Sequence, residues 1–76
     1  MMNELDTVVL LKDIDEHNLT QGDIGAVVHC YDGNKAFEVE FVTAGGDTIA
    51  VLTLTDKDVR TMQSKEILHV RELNAA

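Results

Sequence analysis

The stretch Gly22-Asp23-Ile24-Gly25-Ala26-Val27-Val28-His29-Cys30-Tyr31-Asp32-Gly33-Asn34-Lys35-Ala36-Phe37-Glu38-Val39-Glu40-Phe41-Val42 decides the fold. Its second half alternates cleanly. Phe37, Val39 and Phe41 fall on one face of an extended chain, and Ala36, Glu38 and Glu40 on the other, so Ala36–Val42 reads as a half-buried strand. Ala26–Tyr31 is a β-branched run that reads as the preceding strand, and Asp32-Gly33-Asn34 between them is a strong hairpin signal. Gly22-Asp23-Ile24-Gly25 supplies turn residues at the entrance.

Working outward, Thr43–Asp47 (TAGGD) reads as a second turn and Thr48–Leu54 (TIAVLTL) as a further strand. Upstream, Thr7–Leu11 (TVVLL) is the first strand. It is followed by the long polar loop Lys12–Gln21, which Ile14 and Leu19 would pin to the core. Downstream, Thr55 can cap a short helical turn, roughly Asp56–Met62, with Asp56 and Asp58 favourable in its first turn. Glu66–Leu73 (EILHVREL) has strand composition and is expected as the fifth strand, with 1–5 and 74–76 frayed. The expectation is a single all-β domain over 1–76: a small five-stranded SH3-like barrel with one short helical or 3-10 turn before the last strand. Closing the barrel would remove its exposed edges.

Composition narrows the function. At 76 residues the chain has one core, and hollowing it by ~300 Å³ would cost about 7 kcal/mol against a total stability of ~5–15 kcal/mol. Function therefore belongs to the surface, a loop or a contact between subunits. Fourteen acidic residues against six basic ones give a formal charge of −8. That balance opposes nucleic acid and anionic membrane and suits a cation or a basic protein partner. Cys30 is the one cysteine, so no internal disulfide staples the domain. The N-terminal residues lack a basic region leading into an apolar run, and a cytoplasmic location is expected.

The segments GDIGAVVHCY (22–31), Gly33 and AFEVEF (36–41) together resemble an uncharacterised family of small prokaryotic proteins, a domain of unknown function. The family pattern reads GD(I/V)GxVVHxYxxGxA(F/Y)EVEF, then a glycine–acid turn and a TxAxxTL strand that Thr48–Leu54 fills. Lys12-Asp13-Ile14 is similar to its leading segment, with Asp15 where proline is common; the resemblance spans about Leu10 to Arg60. It implies an SH3-like barrel and no particular activity. The Gly-Asp-x-Gly opening is also similar to an element of ribosome- and polymerase-associated barrels. Those domains are basic, so their RNA binding is not implied for this acidic chain.

Each candidate site has a plain structural counterpart. His29 and Cys30 are strand neighbours pointing to opposite faces and cannot form a dyad; with Ala26 and Val28 inward, Cys30 is a core thiol. His17, His29 and His69 match no metal-ligand spacing. Asp13, Asp15, Glu16 and Asp23 gather around the long loop and could bind Ca²⁺, but no D-x-D-x-D-G loop is present and a solvated loop is the simpler reading. The five glycines follow neither GxGxxG nor GxxxxGK[ST] and serve turns. Val27 and Tyr31, with Ile67, would form an outward apolar strip. The expectation is a non-catalytic protein–protein interaction or accessory module, contacting a protein partner or further copies of itself through Val27, His29, Tyr31 and His17. It needs no cofactor. The alternatives are a calcium-binding protein using the loop carboxylates and an antidote-like accessory subunit for a basic partner.

Overall fold

The computed structural model describes residues 2–73. Five strands, β1 (Thr7–Leu10), β2 (Ile24–Cys30), β3 (Phe37–Val42), β4 (Thr48–Leu54) and β5 (Val59–Thr61), form one antiparallel sheet in the order β4-β3-β2-β1-β5. Two short 3-10 turns, Asp15–His17 and Asp32–Asn34, lie in the β1–β2 and β2–β3 connections.

The connection between β4 and β5 fixes the curvature. These strands lie at opposite ends of the sheet, yet only Thr55–Asp58 separates them. On a flat sheet the two edges would be ~19 Å apart; a tight turn spans under ~7 Å. The sheet is therefore rolled into a small barrel. Leu54 and Val59 from the two edges join Val8, Leu10, Val27, Phe37, Val39 and Phe41 in one core. That core contains no buried polar side chain. The roll is not zipped shut, because no ladder joins β4 to β5 among the described residues, and both keep an unpaired edge.

The turns follow the chemistry of their residues. Gly33 takes φ +76°, which lets Asp32–Asn34 reverse the chain so that the Tyr31 N–H reaches the Ala36 carbonyl at 3.0 Å. Ile14 and Leu19 pair as an isolated bridge, and Leu19 is buried, so the long loop is pinned as expected. Thr55 accepts the Lys57 N–H on its hydroxyl at 3.2 Å, the local role expected of it.

Three expectations are corrected. The fifth strand is Val59–Thr61 rather than Glu66–Leu73, and the helical stretch shrinks to the turn at Thr55–Asp58. The reason is that Val59, only 1% exposed, seals the core immediately after the turn. Backbone bonds from Leu11 N to Asp58 O (2.7 Å) and from Met62 N to Thr7 O (3.0 Å) then extend the β1–β5 pairing at both ends. Residues 2–5 are not frayed: Met2 is buried and the Leu5 N–H donates to Val27 O at 2.7 Å. Residues 74–76 lie outside the described residues.

The third correction concerns β2. Val27 pairs with Val39, but the next pair is His29 with Glu38, leaving Val28 as an extra, bulged residue. The bulge reverses the alternation. Val27 is fully buried and Val28 is exposed, the opposite of the expected phase. Cys30 still turns inward, packing beside the core with its thiol donating to Met2 O at 3.5 Å.

Candidate interaction face

Because of that bulge, the outer face of β2–β3–β4 carries His29, Glu38 and Thr53 in one cross-strand row. Tyr31, just beyond β2, stands edge-on to His29, with ring centroids 4.8 Å apart at 86°. The Tyr31 hydroxyl donates to Glu38 Oε1 at 3.2 Å, and the Thr53 hydroxyl donates to the same oxygen. One row along, Thr48 donates to Glu40 Oε2 at 2.9 Å. Glu38 therefore holds the phenol proton in place, and its hydrogen bond, with burial and its charge behind it, raises the Tyr31 hydroxyl above the ordinary tyrosine range. The exposed apolar groups Val28, Tyr31 and Val51 lie among these carboxylates. The result is an aromatic and aliphatic surface with a negative frame.

Of the four residues expected to make contacts, His29 and Tyr31 come together on this face. His17 makes no part of the His29–Tyr31 contact; it lies on the Asp15–His17 turn, where it lines a shallow cleft with Lys12, Leu52 and Thr53, the last of which also belongs to the face. Val27 drops out, since it is a core residue.

The loop acids do not converge. Asp13 accepts the Gln21 N–H at 2.9 Å, and Asp23 is gripped by the Arg71 guanidinium through two bonds of 2.8 and 2.6 Å. That grip, opposed by partial burial and assisted by the Thr20 N–H, lowers the Asp23 carboxyl below the usual range. Among the described residues no three His, Cys, Asp or Glu side chains gather where a metal ion could be shared. No helix among them is long and apolar enough to cross a membrane.

Arg71 is the residue the sequence reading missed. It lies 48 positions from Asp23, so no short-range pattern marks the pair. Its other bond, 2.8 Å to Asn18 O, ties the C-terminal segment across the long loop. Between this segment and the body opens a cleft of about 540 Å³, walled by Leu19, Ile24, Val42 and Ile49 on one side and by Val70 and Leu73 on the other.

Among known proteins, the family described as Domain of unknown function (DUF4926) matches residues 4–61. The match ends at the last residue of β5. No curated protein and no solved structure matches the chain.

Proposed function

From a chain that belongs to the DUF4926 family of domains of unknown function, we propose a non-catalytic interaction module that binds a protein partner through the outer face of β2–β3–β4. The observation that carries this is the built character of that face. Tyr31, His29, Glu38 and Thr53 hold one another in a fixed cross-strand arrangement, with Val28 and Val51 exposed beside them. Fixed aromatic groups on a rigid sheet suit binding, because little side-chain freedom is lost on contact. The carboxylates Glu38 and Glu40, on a chain of net charge −8, favour a partner that brings basic groups around an apolar centre. An accessory subunit for a basic protein is the form this reading takes.

Affinity capture from the native host, with wild type and a Tyr31→Ala/Val51→Asp variant as parallel baits, tests it. The expected result is a basic protein retained by wild type and lost by the variant. Capture of the same proteins by both baits, or turnover of a substrate by the isolated chain, would overturn it.

A further inference from the structure

Residues 63–73 form an arm that adds nothing to the sheet. Its far end carries Arg71 into a socket made by the body. The guanidinium donates to both Asp23 oxygens, at 2.8 and 2.6 Å, and to the Asn18 carbonyl at 2.8 Å. Three acceptors in one place, two of them on one carboxylate, fit the forked donors of a guanidinium better than the point charge of an ammonium. The body shapes this socket by itself. The Thr20 N–H fixes Asp23 Oδ2 at 2.8 Å, the Asp23 side chain is only 16% exposed, and Asn18 closes the Asp15–His17 turn in the left-handed region at φ 58°.

Beside the socket run the apolar walls of the cleft, Leu19, Ile24, Val42 and Ile49. Leu73, two residues after Arg71, faces them. At 36% it is the least exposed of the arm's large aliphatic side chains, the others being 64% exposed or more. The arm thus sets one arginine and one apolar side chain against complementary parts of the body, yet about 540 Å³ between them stays open. A segment with bulkier side chains would pack the same walls more completely. The family match to residues 4–61 includes all the body residues of this site and neither Arg71 nor Leu73. The receptor therefore belongs to the domain, and its occupant is an appendage.

We infer that Asn18, Asp23 and the adjoining cleft are a binding site for a partner's peptide segment of the form arginine–any–apolar, which the chain's own Arg71 and Leu73 occupy in cis. The net charge of −8 favours such an arginine-bearing segment over an acidic one. A partner enters only by displacing the arm, so the arm sets the threshold for binding. The site shares no residue with the His29–Tyr31 face and does not depend on the function proposed for that face.

The test is an NMR titration of the full wild-type chain and of the full Arg71→Ala chain with a capped synthetic peptide of the sequence EILHVREL, residues 66–73. Arg71 lies outside the core, so Arg71→Ala keeps the fold, and its amide spectrum away from the arm and cleft checks this. The expected result is saturable shifts at Asn18, Asp23, Val42 and Ile49 in Arg71→Ala. Wild type should bind at least about fivefold more weakly, because its tethered arm competes at an effective concentration in the millimolar range. Citrulline in place of the peptide's arginine, neutral and of nearly equal size, should weaken binding to Arg71→Ala by at least about fivefold. Adding Tyr31→Ala/Val51→Asp should change none of this, which separates the result from the fate of the sheet-face reading. No binding to Arg71→Ala up to about 5 mM peptide, equal binding to both chains, or equal binding of the citrulline peptide overturns the inference.

Discussion

Gly25 faces Val8 across the β1–β2 ladder, and a Cβ there would lie 2.7 Å from Val39 Cγ1 and 2.9 Å from Phe41 Cε1. The absent side chain is what lets Val39 and Phe41 of β3 pack so close. Gly25→Ala should therefore overpack the core and cost about 1–3 kcal/mol, read from the midpoint of urea unfolding. On the outer face, Tyr31 is the chain's one tyrosine, so near-ultraviolet absorbance reports its ionisation alone. Glu38→Gln removes the charge that keeps the phenol protonated, and the titration should move to lower pH. An unchanged curve would mean that Glu38 does not hold the hydroxyl. The sequence supplied Tyr31 and His29 as candidates. Their mutual contact and their tie to Glu38 came from pairing across three strands.

At the scale of the element, β2 and β3 behave differently although both read clearly as strands. The alternation of Phe37, Val39 and Phe41 is intrinsic to β3 and survived folding, and all three are buried. In β2 the run Ala26-Val27-Val28 is apolar on both faces, so composition cannot choose the phase, and the bulge at Val28 chooses it. Val27→Ala should accordingly cost about 2 kcal/mol, whereas Val28→Ala should stay within about 0.5 kcal/mol, by the same unfolding measurement. The fifth strand shows a similar ambiguity. Glu66–Leu73 has the better strand composition, but Val59–Thr61 has the position: four residues after β4, opposite Val8–Leu10, with Val59 filling the core. Proximity in the chain and a vacancy beside β1 outweighed propensity.

For the molecule as a whole, the arm is held to the body by exposed charge, and acid should release it. Arg71 depresses the Asp23 carboxyl, so its folded value lies below its unfolded one. The pair's contribution is then fully present above the ordinary aspartate value of ~3.9 and is lost as pH falls through the depressed one. Glu66, lowered to about 2 by the Arg60 guanidinium and the Gln63 N–H, holds the near end of the C-terminal segment in the same way. The heteronuclear NOE at Val70 and Arg71 should report an ordered segment at neutral pH and fall once Asp23 is protonated, below the ordinary aspartate range. Arg71→Ala should show a low NOE there at every pH, while global stability falls by no more than ~1 kcal/mol. By itself the sequence determined the strand-rich domain, its two hairpins, the pinned loop and the acidic surface, because each of these follows from local pattern and composition. Only the tertiary structure decided which face of β2 is buried, which segment becomes β5, and that Asp23 meets Arg71. Those choices depend on contacts between residues far apart in the chain, where the packing and charge of one segment select among conformations that the other allows equally.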